Sequence, residues 1–108
     1  MSSFSVQPQF QYSVVDVSDN STTVFAGPCI LRSVIVHTAL SAHAMPIQDD
    51  TTVIASLAAS SAIGTVLECG DVKLLTSLVV NPDDSGTGMV TVVFAPNHDG
   101  LAGSGYSV

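Results

Sequence analysis

CILRSVIVH, residues 29 to 37, decides the fold. Val and Ile dominate it, their branched Cβ atoms stiffen χ1 and favour a pleated surface, and Ala26-Gly27-Pro28 breaks the chain just before it. Working outward, TTVIASL (51–57), LLTSLVV (74–80) and MVTVVFA (89–95) repeat the pattern, and QDD, NPDDSGTG and PNHDG supply the turns between runs. YSVVDV (12–17) and TTVFA (22–26) add weaker runs around the turn cluster SDNS, whose Asp and Asn side chains bond their own backbone. About eight short strands in one small chain predict an all-β, single-domain antiparallel β-sandwich, and the strand number suits a jelly roll best. An immunoglobulin-like sandwich is the rival, weakened by the absence of Trp and of a Cys…Trp…Cys spacing.

Several local expectations follow. Pro46 argues for an edge strand or a bulge. Gln48 to Thr51 reads as a hairpin tip. LAASSAIG (57–64) is Ala-rich, but Ser60, Ser61 and Gly64 favour a loop or single turn over a helix. GTVLECG and DVKLLTSLVV read as two strands meeting at Gly70-Asp71, and Asn81 to Gly88 as the strongest turn. Residues 1–11, with their Ser, Gln, Pro and two Phe, read as an N-terminal arm, residues 12–96 as the sandwich, and the Gly- and Ser-rich residues 97–108 as a flexible C-terminal tail.

At 108 residues the chain has the size of one domain. Charged residues make up 10% of it, against about 25% in ordinary soluble proteins, so Ser and Thr carry the polar surface. Arg32 and Lys73 are the only Lys or Arg against nine acids, for a formal net charge of -7. Nucleic acid and anionic membranes are therefore not expected as partners, since both require clustered cations. Met1 to Phe10 has neither a basic n-region nor an apolar h-region, so no secretory signal is read there, and synthesis with function in the cytoplasm, or export by cell lysis, is expected. Cys29 and Cys69 have no metal-type spacing and read as buried free thiols.

Apolar side chains occupy both faces of three runs: Ile30, Leu31, Val34, Ile35 and Val36; Leu74, Leu75, Leu78, Val79 and Val80; Val90, Val92, Val93 and Phe94. One small sandwich has a single interior, so the second faces predict packing against sister subunits; a homotrimer fits jelly rolls set side by side around an axis, but the faces do not fix the number.

Signals for chemistry are sparse. Asp84-Ser85-Gly86 has the Asp-Ser/Thr-Gly form of aspartic proteases, in which two chains pair their carboxylates. Here Asn81-Pro82-Asp83 precedes it, a surface turn accounts for every residue, and a homodimeric protease is the lesser reading. His37 reads as closing a strand, His43 as lying in another and His98 as part of the tail; their spacings match no metal motif, and no GxSxG elbow or phosphate loop is present. Asp16, Asp19 and Asn20, and Asn81, Asp83 and Asp84, offer oxygen atoms from loops but lack EF-hand spacing. The expectation is a non-enzymatic chain with no catalytic residue, no cofactor and no bound metal.

The stretch AGPCILRSVIVHTALSAHAMPIQDDTTVIASL, continuing through IGTVLECGDVKLLTSLVVNPDDSGTGMVTVVFAP, resembles the small β-sandwich proteins that decorate or cement the heads of tailed bacteriophages. The likeness covers about residues 26 to 96. It rests on Gly27-Pro28-Cys29-x-Leu31-Arg32 leading into a Val-rich strand, on Thr38-Ala39-Leu40-Ser41-Ala42, and on Thr76-Ser77-Leu78-Val79-Val80 before the acidic turn. The resemblance implies a structural protein at the capsid surface of a virion, often trimeric, whose partner is the major capsid protein. Phe4, Val6, Pro8 and Phe10 of the arm are then the expected capsid contacts, because apolar anchors on a loose segment fill gaps between subunits. A virion fibre component or a host-glycan-binding module is the alternative.

Overall fold

The computed structural model describes residues 9–18 and 21–96. Its strands are β1 (Gln11–Asp16), β2 (Thr22–Phe25), β3 (Cys29–Thr38), β4 (Met45–Asp49), β5 (Thr52–Leu57), β6 (Val66–Leu74), β7 (Leu78–Val80) and β8 (Met89–Pro96). They form two four-stranded sheets in the orders β1-β8-β3-β6 and β2-β7-β4-β5, and every pairing is antiparallel. The chain is thus an all-β sandwich. Every connection except the β4–β5 hairpin passes from one sheet to the other. This is the strand order of a jelly roll, two Greek keys wound together. An immunoglobulin sandwich keeps its first two strands in one sheet, whereas β1 and β2 lie in different sheets here.

Strand alternation builds the core. Cys29, Leu31, Val34 and Val36 of β3, with Val90, Val92 and Phe94 of β8, face Met45, Ile47, Leu57, Leu78 and Val80 of the second sheet, and all are buried. The step from Leu31 to Val34 breaks the period of two because β3 bulges at Arg32: Leu31 and Ser33 pair with the consecutive residues Phe94 and Val93.

Four sequence expectations change. The segment read as two strands meeting at Gly70-Asp71 is one strand, β6, which carries two consecutive left-handed residues, Gly70 (φ +68°) and Asp71 (φ +56°), inside a bulge opposite Arg32. The run DVKLLTSLVV divides, because its first part belongs to β6 and its last to β7 in the other sheet. Pro46 stands on an inner strand rather than an edge. The β7 ladder begins one residue later, at Ile47, so the missing N–H of Pro46 lies beyond it, and the expected bulge falls between Ile47 and Gln48. His43 belongs to the β3–β4 connection and not to a strand. By contrast, Asp50 and Thr51 form the hairpin tip as expected, and residues 58–65 contain turns and no helix.

The loops gather at two ends. At one, the Val17 N–H donates to Gly88 O (2.9 Å), Ser41 N–H to Thr87 O (3.1 Å), Leu40 N–H to Ser61 O (2.9 Å) and Ser60 N–H to Ser41 O (2.8 Å), which ties together the connections β1–β2, β3–β4, β5–β6 and β7–β8. At the other, the N–H groups of Leu75, Thr76 and Ser77 donate to the Asp49 carboxylate at 2.9, 2.9 and 3.2 Å. These bonds satisfy the backbone where the chain crosses between sheets.

The same bonds, led by Leu75 N–H, hold the Asp49 carboxyl below the usual carboxylate range against the opposing effect of its partial burial. A depressed folded-state pKa stabilises the protein above the unfolded carboxylate value and stops doing so as pH falls through the folded one. Replacing Asp49 by Asn should therefore cost about 1–2 kcal/mol at neutral pH, the lower part of the range for charge-assisted hydrogen bonds because solvent screens the site. Urea unfolding of both chains at pH 7 and pH 3 should show the gap closing in acid. A gap that persists at pH 3 would mean that the charge does not matter.

Candidate functional site

Pleating that sends Leu31 and Val90 inward sends alternate residues outward, and on the β1-β8-β3-β6 sheet several of those, such as Val14, Ile35, Val66 and Val93, are also apolar. The register places Val14, Thr91, Ile35 and Val66 in one row across all four strands, since Val14 pairs with Thr91, Thr91 with Ile35, and Ile35 with Val66. In the next row Tyr12 pairs with Val93 and Ser33 with Glu68. Tyr12 is 72% exposed, Val14 46% and Val66 47%, while Ile35 and Val93 are half-buried. Of the apolar residues that the sequence puts on both faces of the strands, Ile30, Ile35 and Val93 thus join Tyr12, Val14 and Val66 on this outer face, whereas Val79 lies on the other sheet and Leu75 in the β6–β7 connection. On the other sheet the corresponding row is Thr23, Val79, Gln48 and Val53, which is more polar.

Toward one end of this face stands an ordered polar group. Arg32 Nε and Nη2 donate to Asp71 Oδ1 and Oδ2 at 3.0 and 3.1 Å, and the guanidinium carbon lies 3.6 Å from the centre of the Phe10 ring. The two facing bulges create this arrangement: that of β3 turns Arg32 outward, and the left-handed Gly70-Asp71 step brings the carboxylate to meet it. Arg32 in turn holds the Asp71 carboxyl below its usual range, chiefly through their hydrogen bonds. Both partners are about half exposed, so the pair serves alignment more than stability. The planar guanidinium, fixed by a two-pronged ion pair, offers its face to an aromatic ring. Phe10, one of the expected capsid contacts, is therefore seated on its own domain. Phe4, Val6 and Pro8 lie outside the described residues, as do His98, Asp19, Asn20 and the 97–108 tail.

The remaining candidates fall elsewhere. Asp84 is exposed in the β7–β8 connection, where Gly86 N–H donates to Asp83 O (2.8 Å) and Ser85 N–H to Asp83 Oδ1 (2.8 Å). His43 Nδ1 lies 3.2 Å from Ser41 Oγ and its Nε2 lies 3.9 Å from Asp83 Oδ1, a grouping of Ser, His and Asp that the sequence does not announce. Ser41 Oγ also accepts the Thr87 N–H at 3.0 Å, so the group joins the β3–β4 and β7–β8 connections. His37 Nδ1 is 3.3 Å from the neighbouring Thr38 hydroxyl. Among the described residues no three His, Cys, Asp or Glu side chains converge as metal ligands do. Cys29 and Cys69 are both free. Burial, and secondarily the Asp49 charge, pushes the Cys29 thiol up to about 11, and burial raises Cys69 as well, so both are protonated at neutral pH. Among the described residues no helix is long and apolar enough to cross a membrane. Comparison of the chain with protein-family models, with curated proteins and with solved structures gives no match.

Proposed function

We propose that this chain is a non-enzymatic structural protein of a phage virion, which associates with itself and binds the outer surface of the capsid shell to stabilise it. The observation that carries the reading is the apolar outer face of the β1-β8-β3-β6 sheet, exposed on a jelly roll whose surface bears few charges. Such a face suits a building part, because it gains free energy only when another protein covers it. The resemblance to head-decoration proteins points the same way. Stabilisation follows from mass action: a protein that binds assembled coat subunits and not separated ones adds its binding free energy to the shell, multiplied over many copies. Phe10, already seated on Arg32, meets a partner at a lower ordering cost than a loose side chain would.

Mass spectrometry of purified particles should find the chain at a copy number commensurate with the shell. In co-sedimentation with capsids that lack it, the Phe4→Ala/Phe10→Ala chain should bind more weakly, by about 2 kcal/mol or more for each anchor lost. Absence of the chain from particles overturns the reading, and equal binding by both chains moves the capsid contact off the arm. A host-glycan-binding module is the second reading, favoured by the exposed Tyr12 ring on the sheet. Copy numbers at fibre rather than shell level would select it.

A further inference from the structure

We propose that a second copy of this chain docks on the outer face of the β1-β8-β3-β6 sheet, sheet against sheet. The inference rests on the self-association part of the reading above and adds the surface and its symmetry. Charge argues for this occupant. Both Arg32 and Lys73, the only Lys or Arg of the chain, belong to this face, Arg32 by its contacts and Lys73 by pairing with Ile30 between the inward Cys29 and Leu31. Asp16, Glu68 and Asp71 accompany them, so the face is close to neutral. Asp49, Asp50, Asp83 and Asp84 lie off the face, at the two ends of the sandwich, with no Lys or Arg of the chain near in sequence to offset them. For two copies with a net charge of -7 each, repulsion is least when the near-neutral faces meet, whereas a head-to-tail contact sets a face against an acidic surface.

Area argues the same way. Strands of 6, 8, 10 and 9 residues, at about 3.3 Å per residue and about 4.8 Å apart, give a flat footprint of about 500 Å². Two such faces reach the roughly 1,000 Å² at which a specific interface begins. Rows of Val, Ile and Thr are what sheets packing face to face interdigitate. Contact of a face with its own copy is isologous and closes at two chains, where the family resemblance implies three.

Light scattering on the full chain at micromolar concentration tests this. The wild type should show twice the 11.1 kDa of one chain. Val14→Glu/Val66→Glu, which puts charges at both ends of the central row, should weaken pairing about a hundredfold or more and give the single-chain mass, with an unchanged far-ultraviolet spectrum. Val53→Glu, on the other sheet, should keep the pair. If the double variant does not fold, Tyr12→Glu takes its place with the same expectation. A wild type of single-chain mass overturns the proposal together with self-association. A paired mass indifferent to the face variants, or a mass of three chains, overturns this arrangement but leaves self-association standing. Neither result bears on whether particles contain the chain, which mass spectrometry decides.

Discussion

Gly88→Ala should be among the most damaging single substitutions in the chain. Gly88 has φ +124°, a conformation that residues with a Cβ rarely adopt, and a Cβ there would stand 2.8 Å from Ala39 O, 2.9 Å from Leu40 Cδ2 and 3.0 Å from Thr38 O. Two of these neighbours are backbone at the end of β3 and in the connection after it, held by the bonds that tie the four loops, so neither can simply move aside. Backbone strain of order 1–3 kcal/mol and overpacking of typically 1–3 kcal/mol together predict a loss of about 3–5 kcal/mol. For a domain of this size the melting temperature should fall by more than about 12 °C. Gly64, at φ +87° with open space around it, is the control, and Gly64→Asn should cost no more than about 1 kcal/mol. Similar melting shifts for the two variants would show that the close approach at Gly88 is relieved cheaply.

Phe94→Ala should be comparably severe for a different reason. Phe94 is buried in β8 between β1 and β3, and its ring centre lies 5.8 Å from that of Phe25 on the opposite sheet, tilted by 44°. It thus bridges the two layers, and its removal leaves a cavity that neighbouring β-ladders prevent from collapsing. The expected cost is about 3–5 kcal/mol, a large share of the 5–15 kcal/mol that holds a typical domain folded. Denaturant titration should show a much lower midpoint with an unchanged slope. A loss below about 1 kcal/mol would mean that Phe25 and its neighbours fill the space.

The strands were legible because each is a local pattern: β-branched runs closed by turn residues mark β3, β5 and β8, and the Asp49-Asp50 pair marks the one hairpin. What the sequence concealed depends on partners distant in the chain. Gly70-Asp71 is a turn signal that the fold uses as a bulge, because Arg32, 39 residues from Asp71, supplies the ion pair that holds it. Nothing between Leu74 and Leu78 looks like a break, since the group that stabilises the crossing there is Asp49, 26 residues before Leu75. Apolar residues on both faces announced that an apolar surface would be exposed. Which surface depended on assembling Val14, Ile35, Val66 and Thr91 from four separate segments, and only the strand order does that.

The position of β8 sets the timetable of folding. Among the described residues it is the last strand, yet it occupies the slot between β1 and β3, and it is the only partner of β1 there. A chain growing on the ribosome therefore holds β1 unpaired until β8 has emerged, with one edge of β3 open for the same interval. Loop closure between the two ends must precede any gain from the β1–β8 pairing, whereas β3 and β6 can pair before it; this is the circumstance that makes β-rich folds slow and exposes them to association before they are complete.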